Sequence, residues 1–238
     1  MISVLIDERM SEGARRALEI RGFYPIALPR HPNLSEAISS HPDSLVFFLD
    51  GVLFAPAEYC EIAPYVFTDI RDRHPNIKIV FTSDSLSADY PRDCSMNAKA
   101  FGKRVLAREK SLSPAILDFA KDNGYEIINT NQGYPACTTL SLGKDLAITA
   151  DAGVARTLTQ AGINTLNIDN GGISLPPHEY GFIGGASGVF RDKIFFIGDY
   201  KLHPSANIIE EFALVAGYSL ISLENSPLRD LGGLIFLE

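Results

Sequence analysis

The chain repeats one pattern of apolar and polar positions about five times. Each copy contains an amphipathic helix, a turn, a short apolar strand, a polar loop and a β-hairpin. A helix-to-strand junction marks each copy, and the junctions cover residues 18–28, 71–82, 120–130, 159–168 and 214–223. Four junctions have a glycine just past the helix, where a positive φ is common, and the other has an asparagine: Gly22, Asn76, Gly124, Gly162 and Gly217. Repetition at this spacing is typical of an array or a propeller.

The hairpins and the two ends of the chain predict how these copies assemble. Segments 44–56, 97–108, 137–151 and 188–199 each pair two apolar runs around a polar turn, of which Asp50-Gly51 is the strongest signal. The chain begins with a lone strand at 2–8 and ends with a lone strand within 230–238. Pairing them would remove two exposed strand edges. The sequence therefore predicts a closed, pseudo-fivefold α/β propeller, with the N- and C-terminal strands closing the ring.

Composition and charge limit the number of domains and the class of binding partner. With 46% hydrophobic residues and no low-complexity linker, residues 1–238 are expected to form a single domain. The formal charge of −8 disfavours a nucleic-acid or anionic-membrane partner and suits a cationic small molecule. The N-terminus carries Asp7 and Glu8 on a strand, unlike a signal peptide, and no run of about 18 apolar residues is present.

The cysteine content and the absence of common cofactor motifs exclude further classes of protein. The three cysteines are odd in number and widely spaced, which favours a reducing cytoplasm over a disulfide framework or a structural zinc site: Cys60, Cys94 and Cys137. The chain has no phosphate loop, no HExxH and no CxxC. The glycine-rich stretch 181–188 does not fit GxGxxG and indicates close backbone approach. No cofactor and no metal are expected.

Three segments resemble the penteins, the superfamily of arginine deiminases and amidinotransferases. Segment 86–107 is similar to their aromatic-x-Arg-Asp turn and hairpin, and segment 131–158 is similar to their next hairpin. The C-terminal GGLIFLE is similar to the glycine-rich turn that precedes their nucleophilic cysteine strand. The resemblance implies a fivefold α/β propeller with a guanidinium site in its central channel. It also implies that acids hold the guanidinium while a cysteine attacks its carbon and a histidine relays protons.

When the site residues of the family are placed on this sequence position by position, one acid is kept and the other catalytic residues are missing. Asp93 matches the acid on the substrate side of the family site. The second acid falls at Asn131 or Gln132, the histidine at Gly184, Gly185 and Ala186, and the cysteine near Ile235 or Phe236. The resemblance therefore implies a divergent pentein without ordinary arginine deiminase or amidinotransferase activity, which has lost guanidine chemistry or rebuilt its site elsewhere.

Carboxylates recur where the inner strands end. The same position at the end of the inner strand is held in three copies by Asp84, Asp169 and Glu224, and in another copy by residues 129–131. Asp93 and Asp230 follow one loop later. Turn and helix-cap chemistry also favours these residue types. Because such strand ends would converge on one mouth of a ring, an acidic axial pocket is expected to draw on a common set of residues. That set is Asp84, Asp93, Asn131, Asp169 and Asp230, joined by Gln132, Gly184 and Gly185 as substrate-binding positions.

Two residues are candidates for catalysis. Cys137 begins the third hairpin and also fits a small core residue. His178 lies beside the glycine-rich turn in a long insertion and also fits an ordinary loop residue. Cys94 follows Asp93, whose charge would make it a poor thiolate. His31, His41 and His74 each precede proline and are interpreted as turn residues.

The sequence predicts a small-molecule-binding protein with an acidic axial pocket for a guanidino or related cationic compound. Two alternatives stay open. One is a hydrolase with Cys137 as a relocated nucleophile. The other is a non-catalytic pentein that docks on another protein.

Overall fold

The computed structural model describes residues 1–238. The strands are β1 (Ile2–Asp7), β2 (Phe23–Leu28), β3 (Phe47–Leu49), β4 (Val52–Pro56), β5 (Lys78–Thr82), β6 (Ala98–Phe101), β7 (Arg104–Ala107), β8 (Glu126–Asn129), β9 (Thr139–Leu142), β10 (Leu146–Thr149), β11 (Asn164–Asn167), β12 (Ile173–Ser174), β13 (Ser187–Phe190), β14 (Lys193–Phe196), β15 (Ser219–Ser222), β16 (Leu228–Arg229) and β17 (Ile235–Leu237). The α-helices are α1 (Glu12–Glu19), α2 (Pro42–Leu45), α3 (Ala57–Ile62), α4 (Pro64–Arg73), α5 (Pro114–Asp122), α6 (Pro135–Thr138), α7 (Ala152–Gln160) and α8 (Ala206–Val215). A 3₁₀ turn covers Tyr200–Leu202.

Five three-stranded sheets share one strand arrangement. In each sheet the middle strand is antiparallel to one neighbour and parallel to the other. The sheets are β17-β1-β2, β3-β4-β5, β6-β7-β8, β9-β10-β11 and β13-β14-β15, while β12 and β16 form a separate two-stranded sheet. The predicted pairing of the terminal strands is confirmed, since β1 lies antiparallel to β17 with Ser3 opposite Leu237 and Leu5 opposite Ile235. The sheets are separate, and no hydrogen-bonded strands join them into one closed sheet.

The turns follow from local chemistry. Gly22, Gly124, Gly162 and Gly217 lie just past helices α1, α5, α7 and α8 with φ between 72 and 86°, as the sequence pattern predicts. In the β3–β4 hairpin Asp50 and Gly51 have φ of 51 and 73°. Positive φ at both central residues matches the twist of the flanking strands, which is why an Asp-Gly pair fits this turn.

Five hydrophobic clusters fill the spaces between consecutive sheets, each with the apolar face of at least one helix. Four clusters join sheets that follow one another along the chain. The fifth joins the β13-β14-β15 sheet to the first sheet, with Phe195 packed near Val4, Ile6 and Phe236. The packing therefore passes from each sheet to the next and returns from the last sheet to the first.

Backbone approaches backbone closely in the glycine-rich stretch. A Cβ on Gly184 would lie 2.6 Å from the carbonyl oxygen of Thr139 and 2.7 Å from that of Cys137. A Cβ on Gly188 would lie 2.5 Å from the Cβ of Leu234. These residues are glycine because no side chain fits, as the sequence indicated. No helix has both the length and the apolar character needed to cross a membrane.

Candidate functional site

A cavity of about 810 Å³ opens among the loops that connect the sheets. Its walls come from residues 35–41, from Ala88 and Asp93, from residues 132–137, from the loop 175–182 and from Asp230. Four carboxylates are among the lining residues, namely Glu36, Asp93, Glu179 and Asp230, and no lysine or arginine is among them. We call this space the acidic cavity.

Asp93 offers an unsatisfied carboxylate oxygen inside the acidic cavity. The residue is buried, and its Oδ2 accepts a hydrogen bond of 2.5 Å from the Tyr134 hydroxyl. Its Oδ1 is buried without any hydrogen-bond partner. A buried acceptor without a donor costs about 1–3 kcal/mol, more for a charged group. A ligand that supplies an N–H to this oxygen would remove that cost.

Asp230 is fixed by the backbone around it. Its Oδ2 accepts from the Phe182 N–H at 2.9 Å and its Oδ1 accepts from the Gly232 N–H at 3.1 Å. Burial raises the pKa of Asp230 to about 6, although both backbone donors favour the charged form. A side chain on Gly185 would collide with this carboxylate, so the glycine makes room for it.

Cys137 contacts a second buried acid, Asp43. The sequence placed this cysteine on the first strand of the third hairpin, but the structure places it in the one-turn helix α6, just before β9. Its Sγ lies 2.7 Å from Asp43 Oδ2, and Asn97 Nδ2 lies 3.5 Å from the same sulfur. Burial, with Asp43 and Asp230 nearby, raises the pKa of the Cys137 thiol well above its usual value. Burial also raises the pKa of Asp43, to about 7.

His41 lies beside these acids without any hydrogen bond. It is fully buried, and neither ring nitrogen has a partner. Nδ1 lies 3.8 Å from Asp230 Oδ1 and Nε2 lies 3.9 Å from Asp7 Oδ2. Burial lowers the pKa of His41 to about 3, so the ring is neutral at pH 7. The sequence interpretation of His41 as a turn residue missed this placement.

Two loops form the rim of the acidic cavity. Arg9 fixes one of them, because its guanidinium donates to the carbonyl oxygens of Glu36 and Ala37 and pairs with buried Asp7 at 2.6 Å. The other rim is the loop 175–182, where His178 is exposed and its backbone N–H donates to the Leu175 carbonyl. His178 therefore lines the acidic cavity, as the sequence allowed, but it lies at the rim and has no side-chain partner.

Three of the recurring strand-end acids have a structural role. Each accepts a hydrogen bond from the serine at the N-cap of a helix. Asp84 bonds Ser113 before α5, Asp169 bonds Ser205 before α8, and Glu224 bonds Ser11 before α1. None of them lines the acidic cavity. In these three copies the strand end therefore meets the start of a helix, and the acid holds the serine that precedes that helix.

Asn131 and Gln132 separate from each other in the structure. Asn131 lines a different cavity of about 470 Å³, beside Asp151 and Arg156, and not the acidic cavity. Gln132 lines both cavities, and its amide donates to Asp151 Oδ2 at 2.7 Å. Asp151 caps α7 and thereby orients this amide.

Of the residues predicted for the pocket, the acidic cavity brings together Asp93, Gln132, Cys137, His178 and Asp230. Gly184 and Gly185 do not line it but support the backbone of Cys137 and the carboxylate of Asp230. Sequence reasoning missed Tyr134, His41 and Asp43. The available signal for the last two was the polar run His41-Pro42-Asp43 just before an apolar strand, which was interpreted only as a turn.

The comparisons with known proteins identify the fold. The family model that matches covers residues 5–235 and is described as a family of unknown function, DUF6873. None of the curated proteins matches the sequence of the chain. Solved structures match over most of the chain at low identity, and DDAH, agmatine deiminase and amidinotransferases of the pentein fold are among them.

Three of these structures span the range of activities. DDAH from Pseudomonas aeruginosa, solved as a mutant complexed with citrulline, is 11% identical, with a TM-score of 0.58 over 93% of this chain and 91% of that one. Agmatine deiminase from C. jejuni is 10% identical, with a TM-score of 0.56 over 95% and 90%. The inosamine-phosphate amidinotransferase from Streptomyces griseus is 10% identical, with a TM-score of 0.58 over 94% and 78%. The resemblance to penteins is thereby confirmed for the fold.

Proposed function

The chain belongs to the family of unknown function DUF6873, and we propose that it binds a cationic small molecule, of the guanidino class or related to it, in the acidic cavity. One observation carries the proposal. Asp93, whose buried Oδ1 has no hydrogen-bond partner, lines a cavity with four carboxylates and no lysine or arginine. A cation with N–H donors is the ligand class that satisfies both the hydrogen bonding and the charge of such a site.

The geometry suits a planar cation better than a compact one. A guanidinium presents a rigid fork of N–H donors that pairs with carboxylate oxygens, and it stacks on aromatic faces. Asp93 provides the acceptor, Tyr134 holds it in place, and Tyr180 lines the same cavity as a possible stacking surface. Asp230 and Glu179 add negative charge at the deep end and at the rim. Several structural relatives are named for deiminase or amidinotransferase activity, which agrees with this ligand class.

We infer that the five sheets are the blades of one pseudo-fivefold propeller and that residues 1–238 form one domain. Two observations support this arrangement. All five sheets have the same strand order, and the hydrophobic clusters connect them in a cycle that includes the first and last sheets. Residues from separate sheets and loops then meet at the axis, as Asp43, Cys137 and Asp230 do.

Ligand binding is testable by thermal unfolding of the full chain. A guanidino compound at about 100 times its Kd should stabilise the protein by about 2.7 kcal/mol. For a chain of this size, that corresponds to a rise in Tm of about 5–10 °C. Asp93→Asn keeps the shape of the side chain and removes its charge. We expect it to weaken binding about 10- to 150-fold, since a hydrogen bond to a charged group contributes about 1.5–3 kcal/mol.

Asp84→Asn is the matched control. It removes the same charge from a strand-end acid that bonds the Ser113 hydroxyl and does not line the cavity, so its ligand-induced shift in Tm should equal that of the wild type. Arginine, agmatine and methylarginines are suitable probes, with citrulline as the uncharged comparison. An unchanged shift in Asp93→Asn, or stabilisation by anions alone, would contradict the proposal.

Ordinary deiminase or amidinotransferase turnover is expected to be absent. The position that the resemblance assigns to the nucleophile falls on Ile235 or Phe236, and Phe236 packs against Phe23 and Phe195 in an aromatic cluster. Loss of the nucleophile removes the covalent route, and loss of a general acid or base costs a further factor of about 10²–10⁴. The purified protein should release no citrulline or urea from arginine, agmatine or methylarginines above the buffer rate, measured colorimetrically.

A single contact favours a second candidate function, a hydrolase in which Cys137 is the nucleophile. The Cys137 thiol meets the Asp43 carboxyl at 2.7 Å, and a carboxyl with a pKa of about 7 is suited to general-base work at neutral pH. Asp43 would take the thiol proton as the sulfur attacks an electrophilic carbon. Turnover that is lost in Cys137→Ser and kept in Cys94→Ser would support this candidate. The pKa of the control thiol is raised to about 11 by burial.

A further inference from the structure

We propose that His41, Asp43 and Cys137 bind a divalent transition-metal ion at the base of the acidic cavity, and that Zn²⁺ is the ion their ligand set fits best. A sulfur, an imidazole nitrogen and a carboxylate oxygen are the three ligand types of zinc sites. Their ligand atoms all lie within 4.8 Å of one another. The sequence predicted no metal site, because Cys137 lies 94 residues from Asp43 along the chain.

The unpartnered imidazole is the observation that points to a ligand. His41 is fully buried, and both ring nitrogens lack a hydrogen bond. Buried polar groups in folded proteins are almost always paired, and an orphan of this kind calls for an explanation. A metal ion bound to one nitrogen supplies the missing partner.

The nitrogen that does not bind the metal also has a suitable neighbour. If Nδ1 is the ligand, Nε2 faces Asp7 Oδ2 at 3.9 Å, and if Nε2 is the ligand, Nδ1 faces Asp230 Oδ1 at 3.8 Å. A carboxylate behind a metal-binding imidazole fixes the ring and raises its basicity. Asp7 is held in place by Arg9 and by the Ser40 hydroxyl. Either choice of ligand nitrogen therefore leaves the other nitrogen facing a carboxylate, which would have to approach by somewhat less than about 1 Å to accept its N–H.

The thiol and the carboxyl already converge on one point. Cys137 Sγ donates a hydrogen bond to Asp43 Oδ2 at 2.7 Å. In a tetrahedral zinc site the same two atoms would lie about 3.5 Å apart, given Zn–S of about 2.3 Å and Zn–O of about 2.1 Å. The ion thus replaces the proton with an outward movement of less than about 1 Å. The thiol proton leaves to solvent as the thiolate–metal bond forms.

The charges around the three ligand residues favour the binding of a metal cation over the protonation of these residues. Asp43 and Asp230 are both buried, and the nearest cations are Lys99, whose pKa is lowered by burial, and Arg9, which pairs with Asp7. His41 and Cys137 line the acidic cavity. Asp43 does not line it but lines a separate cavity. A fourth coordination position on the side of His41 and Cys137 would face the acidic cavity and leave a bound ion open to a water molecule or a small ligand.

Cobalt binding by the full chain tests the site. After treatment with a chelator, the wild type should bind one equivalent of Co²⁺. The bound ion should show two signals: a thiolate-to-cobalt charge-transfer band in the near ultraviolet, and the visible absorption bands of a four-coordinate ion. Zn²⁺ should displace the cobalt. Cys137→Ser should lose the charge-transfer band, whereas Cys94→Ser and Cys60→Ser should keep it. Loss of an outer-sphere partner weakens metal binding by about 10- to 100-fold. His41→Ala removes a direct ligand, so it should weaken Zn²⁺ binding by more than this.

The wild-type titration is decisive even if a variant fails to fold. No charge-transfer band in the wild type, or a band that persists in folded Cys137→Ser, would overturn the proposal. Near-ultraviolet circular dichroism of each variant reports whether it is folded. The titration contains no guanidino compound, so its outcome is independent of ligand binding in the cavity. A thiolate held by a metal would also exclude Cys137 as the free nucleophile of a hydrolase.

Discussion

Removal of residues 1–7 is expected to leave a chain that shows no cooperative unfolding transition. These residues contain β1, the middle strand of its sheet, which pairs with β2 on one edge and with β17 on the other. Val4 and Ile6 belong to the hydrophobic cluster shared with the last sheet, and Leu5 belongs to the cluster shared with the second sheet. All three side chains are fully buried.

The expected loss is comparable to the whole stability of an ordinary domain. Each fully buried aliphatic side chain contributes about 1.5–3 kcal/mol, and native domains are stable by only about 5–15 kcal/mol in total. Truncation also leaves the hydrogen-bonding edges of β2 and β17 unpaired. Circular dichroism during thermal and urea unfolding provides the measurement.

A graded variant and a matched truncation complete the design. Leu5→Ala should lower the free energy of unfolding by about 2–5 kcal/mol and leave a cooperative transition. Removal of Glu238, an exposed residue at the opposite terminus, should leave the free energy of unfolding unchanged within about 0.5 kcal/mol. If the chain without residues 1–7 unfolds cooperatively with the wild-type urea dependence, β1 is not required for the core and the cyclic packing has been misjudged.

The local parts of the fold could be predicted because their causes are local. A glycine after a helix and an Asp-Gly pair between apolar runs determine a turn wherever they occur, and Gly22 and Asp50-Gly51 adopt the expected positive φ. The pairing of β1 with β17 could be predicted because each end of the sequence had one strand without a partner. These inferences need only neighbouring residues or the count of strands.

The candidate site could be predicted only in part, because its chemistry depends on contacts between distant segments. Asp93 was found through the pentein resemblance, and it lines the acidic cavity. Asp84 and Asp169 were expected in the pocket but lie outside the acidic cavity, since a recurring acid at a strand end looks the same whether it faces a cavity or bonds the serine before a helix. Asp43 was missed because its contact with Cys137 spans 94 residues and has no local pattern.

Gly184→Ala is expected to lower the free energy of unfolding by about 3 kcal/mol or more. A Cβ there would lie 2.6 Å from the Thr139 carbonyl oxygen, 2.7 Å from the Cys137 carbonyl oxygen and closer still to that of Ala136. All three atoms belong to the backbone around α6, so no side-chain rotamer can relieve the overlap. Overpacking of a rigid core costs about 1–3 kcal/mol and occasionally more, and this site is at the upper end for that reason.

Gly13→Ala is the matched control, because the same methyl group is added where the neighbour can move. A Cβ on Gly13 would meet Glu224 Oε1 at 3.2 Å, the end of a flexible side chain, and alanine favours the helix α1 in which it lies. Its free energy of unfolding should change by less than about 1 kcal/mol. A shift of α6 would move Cys137 away from Asp43, so Gly184→Ala should also weaken Co²⁺ binding, which Gly13→Ala should leave intact. Equal stability of the two variants would show that the backbone around α6 yields, and that the close contacts at Gly184 do not hold Cys137 in place.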